Sequence, residues 1–168
     1  SSNNLTNGGS GDIHLAIYQD APGYPRVMAQ TIPTTDPVEQ YAQQPNIAVD
    51  PVTGQFVLVW DQGNITVVGS DKTIMAQRFD AHGVAQGGAF VLHDVAGLDD
   101  GRAKVAFLTD GRLVAIWRTD IVADPNNTHA GTIFDTDGTR HDFAFSANDE
   151  LFTTDPEIIA TADGGFAI

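Results

Sequence analysis

The sequence predicts an all-β fold of antiparallel four-stranded blades repeated in tandem, the architecture of a β-propeller. Three observations predict it. Short β-branched and aromatic runs recur along the chain, each bounded by Asp-Gly or Pro signals. The Phe79-to-Gly83 and Phe134-to-Gly138 segments superpose without a gap at a period of 55 residues. No stretch carries a convincing helical pattern.

The elements follow in order. Residues 1–12 read as a flexible N-terminal segment. Residues 13–44 read as a partial blade: Leu15-Ala16-Ile17-Tyr18 echoes Val114-Ala115-Ile116-Trp117, and Val27-Met28-Ala29-Gln30 echoes Ile74-Met75-Ala76-Gln77. These give the second, third and fourth strands of a blade whose first is missing. Residues 45–102 form a whole blade. Pro45 to Val49 turns into Gly54 to Trp60, and Ile74 to Phe79 turns at Asp80-Ala81-His82-Gly83 into Ala89 to Leu92. Residues 103–155 repeat it. Ala103 to Phe107 turns at Thr109-Asp110 into Gly111 to Trp117, and His129 to Phe134 turns at Asp135-Thr136-Asp137-Gly138 into Phe143 to Phe145. Residues 156–168 start a further blade, with Pro156 to Ala160 turning at Ala162-Asp163 into Gly164 to Ile168.

The Asp-Gly pairs supply the positive φ of a hairpin turn without steric penalty. Phe56-Val57-Leu58-Val59-Trp60 is apolar on both faces, as an inner strand between neighbouring blades must be. A chain that starts and stops inside blades is expected to be an excerpt of a longer propeller. Completion by a second chain and an open stack capped by other domains are the alternatives.

Composition narrows the function. The 168 residues carry 22 acidic and 8 basic side chains, a formal net charge of −14, which repels nucleic acid and anionic membranes alike. There is no Cys, so disulfides, thiolate metal sites and thiol catalysis are excluded. No apolar run approaches the ~20 residues that span a bilayer, so membrane insertion is not expected. Nineteen of the acids are Asp, which suits a turn-rich β protein because Asp caps its own turns. The same composition suits a protein living in calcium, whose ligands are carboxylate oxygens.

The residues from Gln44 to Phe90 carry a resemblance. Gln44-Pro45, Gly54 to Trp60, Ala76-Gln77-Arg78-Phe79-Asp80, Gly83 and Gly87 to Phe90 match in order, and Ala162-Asp163-Gly164-Gly165-Phe166 repeats part of the pattern. This resembles the tandem ~50-residue β-blade repeats of large secreted bacterial proteins of the RTX and adhesin type. The resemblance implies an extracellular or cell-surface location and a propeller-like unit. It implies neither a particular ligand nor catalytic residues.

In this strand order the tight turns fall on one rim and the long connections on the other. The long-loop rim holds Asp61, Asp71, Asp94, Asp99, Asp100, Asp120 and Asp124 as candidate ligand-binding residues, with Asp149, Glu150 and Asp155 beside them. A cation, a basic protein or a glycan held through calcium would suit that face; ordinary solvated loops would look the same. Asp135 and Asp137 are the candidate metal ligands, although the further acids of a calcium loop are absent and His82 stands where Asp137 does in the parallel turn. His14, His82, His93, His129 and His141 form no zinc spacing. Trp60 and Trp117 could stack on a sugar, yet their repeated position at the end of a second strand places them between blades. Arg78, without a counterpart in the other blades, reads as a salt-bridging edge residue. The expected function is non-enzymatic binding or scaffolding in adhesion or as a spacer, with a protein or glycan at the acidic face and further blades of the same or another chain at the sides. The alternative is part of a propeller-fold hydrolase or lyase acting on polysaccharide, with catalytic residues partly outside this chain.

Overall fold

The computed structural model describes residues 12–32, 41–63, 72–94, 101–119, 129–144 and 155–168. The segment expected to be flexible, residues 1–12, lies outside them save for Asp12. Twelve strands are found in these residues, and no helix. They are β1 (Ile13–Tyr18), β2 (Arg26–Ile32), β3 (Tyr41–Val49), β4 (Phe56–Gly63), β5 (Lys72–Phe79), β6 (Phe90–His93), β7 (Gly101–Phe107), β8 (Leu113–Arg118), β9 (His129–Phe134), β10 (Arg140–Ala144), β11 (Ile159–Ala160) and β12 (Phe166–Ala167). β3 to β6 make one four-stranded sheet and β7 to β10 another, each in chain order and antiparallel throughout. β1–β2 and β11–β12 make two-stranded sheets. The expected all-β class and its antiparallel four-stranded sheets are therefore present.

The sheets pack face to face in chain order because their inner strands are apolar on both sides. β4 is buried at every position. Its Phe56, Leu58 and Trp60 join Ile13, Leu15 and Ile32 of the first sheet, while Val57 and Val59 join Val105, Ala115 and Trp117 of the third. β8 repeats the division, with Leu113, Ala115 and Trp117 facing back and Val114 and Ile116 facing Ile158, Ala160 and Phe166. Period-two alternation sends successive side chains to opposite neighbours, so one apolar strand serves two cores. Both tryptophans are 1% exposed and both face the preceding sheet. Trp60 Nε1 donates to Gln62 Oε1 at 3.5 Å, but the residue two places after Trp117 is the shorter Thr119. Among the described residues Trp117 Nε1 finds no acceptor; the His93 ring lies against the indole instead, centroids 4.5 Å apart.

The turns are the most regular feature. Asp80, Leu108, Asp135 and Thr161 each donate their N–H to a carbonyl four residues on, and each accepts from a glycine three residues on. Those glycines, Gly83, Gly111, Gly138 and Gly164, all have φ between 83° and 91°, the left-handed conformation that closes a type I turn with a bulge. A second regularity was not expected. β3 and β7 are each irregular at one place, where Gln44 (φ 53°) and Arg102 (φ 59°) break the pairing with the neighbouring strand. In β3 this kink comes just before Pro45, which has no N–H to give the ladder, and pairing resumes upstream at Gln43 and continues to Tyr41.

The first sheet departs from the echo in the sequence by one residue. A shift in pairing after Ile17 sets Met28 opposite Ile17, which is the place that Ala76 holds opposite Val59. Met28 is thereby turned into the core against β3–β6, and the echoed Met75 faces the opposite way relative to its own sheet.

Two outcomes are expected for stability. Trp117→Ala removes the largest side chain between the third sheet and its predecessor and should cost about 3–5 kcal/mol. Gly131→Ala would put a Cβ 2.7 Å from the Ala115 carbonyl oxygen and 2.5 Å from Phe143 Cζ, costing about 1–3 kcal/mol as an overpacked substitution. Urea unfolding followed by tryptophan fluorescence for Gly131→Ala, and by circular dichroism for both, measures them.

Candidate functional site

The clearest concavity lies between the two four-stranded sheets on the rim of tight turns, a cleft of about 470 Å³. Its walls come from the turns after β3 and β7 and from the ends of β5 and β9. Asp50, Asp110 and Asp135 line it together with Arg78, and Phe107 and Phe134 give it an apolar side. It is on the rim opposite the long loops. A signal for it exists in the sequence: Phe79 and Phe134 both end a third strand one residue before an Asp turn, so adjacent sheets bring aromatic strand ends together there.

The carboxylates of this rim already have partners. Asp50 accepts from the Thr53 hydroxyl at 2.5 Å and the Val52 N–H at 2.8 Å, which together hold its carboxyl below the ordinary aspartate range. The Arg112 backbone N–H and then its guanidinium do the same for Asp110. Asp135 Oδ2 meets His141 Nε2 at 2.8 Å. In the neighbouring turns the Val84 N–H lowers Asp80, the Thr139 N–H lowers Asp137, and the Thr161 hydroxyl with the Gly165 N–H lowers Asp163. Asp50, Asp80, Asp110, Asp137 and Asp163, held ionised in this way, cannot donate a proton near neutral pH, and their engaged lone pairs make them poor bases. Arg78 is exposed at the cleft wall, and among the described residues no ion pair joins it to a carboxylate.

The candidate metal ligands do not converge. Asp135 turns to His141, while Asp137 Oδ1 accepts the Thr139 N–H at 2.8 Å within its own turn. Among the described residues no three of His, Asp or Glu are grouped to hold a metal ion. Calcium takes about 6–8 oxygen ligands, and this donor set does not fit it.

Of the acidic rim expected to bind ligand, Asp71, Asp99, Asp100, Asp120 and Asp124 lie outside the described residues, as do Asp149 and Glu150. Asp94 is exposed at the end of β6. Asp155 is exposed and paired with the Arg102 guanidinium. Asp61 has a different place altogether. It is 1% exposed, and its carboxylate receives the Arg102 N–H at 2.9 Å across the gap between sheets. That N–H belongs to the left-handed kink of β7, and Gly101 beside it is required because a Cβ there would come within 2.7 Å of Asp61 Oδ2. Asp61 thus anchors one sheet to the next. No helix of the described residues is long and apolar enough to cross a membrane.

No model of a known protein family matches this chain, and no curated protein sequence matches it.

The turn carboxylates make stability depend on pH in one direction. Their folded values lie below the ordinary aspartate value of about 3.9, so their contribution is complete above that value and is lost as pH falls through the folded ones. Unfolding midpoints in urea should be level from neutrality to about pH 5 and should drop on further acidification. The drop should be smaller in a variant combining Asp80→Asn, Asp110→Asn and Asp137→Asn, in which the acceptors remain but do not titrate.

Proposed function

We propose that this chain is a non-enzymatic binding or scaffolding segment of a secreted or surface bacterial protein, built as part of a β-propeller. One observation carries the reading: the second strand of each four-stranded sheet, β4 or β8, is buried on both faces between its sequence neighbours. The contacts between successive sheets gather on first strands, β3 with β7 and β7 with β11, as blades gather around an axis. The fixed, ionised carboxylates of the tight-turn rim favour binding over proton-transfer chemistry. Partner contacts are assigned to the long-loop face that carries Asp94, Asp99 and Asp100, where a glycan or a basic protein surface would meet carboxylates.

Incubation of the chain with a panel of polysaccharides and aryl glycosides tests the first part, and the expected result is no release of reducing sugar or chromophore. Sustained turnover would transfer the chain to the hydrolases or lyases. Glycan-array binding tests the second part. Asp94→Asn, Asp99→Asn and Asp100→Asn together should weaken any hit by about tenfold or more, the loss of a single charged hydrogen bond, with the circular dichroism spectrum unchanged.

A further inference from the structure

The cleft on the tight-turn rim is open because two charged residues stand where the next joint is packed shut. In the third sheet Leu108 heads the turn after β7, and Ile133 sits opposite Val114. Both join Ile158, Ala160 and Phe166 of the last sheet in one apolar cluster, with Leu108 fully buried. In the second sheet Asp50 heads the corresponding turn. Its N–H goes to the Gln55 carbonyl and its carbonyl accepts from Gly54, as Leu108 does with Arg112 and Gly111. Arg78 sits opposite Val57, which like Val114 is the second residue of its strand. An apolar pair is thus replaced by a carboxylate and a guanidinium, and both line the cleft of about 470 Å³. Among the described residues no ion pair joins them. Asp50 is only 8% exposed. Its oxygens each accept one bond from its own turn, from Val52 and Thr53, which leaves about half of its roughly four acceptor sites. Asp135 engages Oδ2 with His141, and Oδ1 carries no hydrogen bond among the described residues. Phe107 and Phe134, both half-buried, form the apolar side.

From this we infer that the cleft binds a neutral saccharide, with one or two sugar rings between the second and third sheets. Charge complementarity selects the guest. An anion would meet Asp50 and Asp135, and a cation would meet Arg78. A guanidinium only donates and an ionised carboxylate only accepts, so the guest that joins them must do both without net charge. Neighbouring hydroxyls on a sugar ring do so, donating to Asp50 and Asp135 while accepting from Arg78. The C–H face of the same ring covers Phe107. Acceptors as enclosed as Asp50 hold a hydroxyl more strongly than acceptors in open water. The volume falls within the roughly 300–1,000 Å³ of small-molecule sites, and a mostly apolar wall with a few fixed polar groups is their usual lining. This is a second site, on the rim opposite the loops assigned to partners above, and it stands or fails independently of them.

Amide NMR signals of the intact, isotope-labelled chain, followed during titration with disaccharides, decide it. The neutral probes are cellobiose, maltose, lactose and mannobiose; digalacturonate and the glucosamine dimer are the charged ones. At least one neutral disaccharide is expected to shift the signals of Val52, Thr109 and Gly111, with both charged dimers binding more weakly. Arg78→Ile should weaken that binding by about tenfold or more, the loss of a charged hydrogen bond, with the circular dichroism spectrum unchanged. Arg78→Gln serves in its place should the isoleucine variant fail to fold. The combined Asp94→Asn, Asp99→Asn and Asp100→Asn variant should keep full affinity at the cleft, which separates this site from the long-loop face. The inference is overturned if no neutral disaccharide shifts the cleft signals at tens of millimolar, or if affinity survives both substitutions of Arg78. Digalacturonate binding more tightly than the neutral sugars also overturns it, by making the cleft an anion site.

Discussion

A strand that is apolar on both faces can exist only between two other sheets. β4 and β8 impose that condition twice, and most of the molecule follows from it. Phe56-Val57-Leu58-Val59-Trp60 would be insoluble as the edge or the outer face of anything. Enclosed on both sides, it supplies two cores at once, and each core needs a matching strand in the adjacent sheet. Chain order and stacking order coincide for this reason. The next sheet along the chain is the nearest segment able to bury the other half of the alternation.

Polar groups then fix how the sheets sit on one another. The apolar layers are permissive, because Val, Ile and Ala slide over one another at small cost. Asp61 is not permissive. Its buried carboxylate accepts the Arg102 backbone amide from the kink in β7, with room made by the absent side chain of Gly101. Asn46 Oδ1 adds a second fixed point by receiving the Val105 N–H at 3.0 Å, and the Arg140 guanidinium ties the outer edge to the Leu92 carbonyl at 2.7 Å. At the following interface these devices change. Arg118 stands where Asp61 does, and the ties are ion pairs from Arg102 to Asp155 and from Lys104 to Glu157.

The strands, their grouping into antiparallel sheets of four and the turn chemistry were legible in the residues, because alternation and Asp-Gly signals act over a few positions. Contacts set by register were not. That Met28 would occupy the place of Ala76 depends on a bulge after Ile17, which no local pattern announces. The kinks at Gln44 and Arg102 use residues with no special preference for positive φ, so they come from the sheet and not from the residue. Asp61 looked like one more loop carboxylate, and its burial could be seen only once β4 was known to run on to Gly63. The cleft beside Asp50, Asp110 and Asp135 escaped notice for a related cause. Each turn reads as self-contained, and the hollow exists only between two of them.

The change of ties from one interface to the next has a geometric consequence. A stack of identical joints repeats one rotation and bends uniformly, like a spiral stair with equal treads. Here the first joint is a short, buried carboxylate-to-amide contact and the next is a pair of long, solvated side chains, so the two treads need not be equal. Joints built from such different contacts give the protein no reason to repeat one rotation from sheet to sheet, and each sheet can sit on the next at an angle of its own.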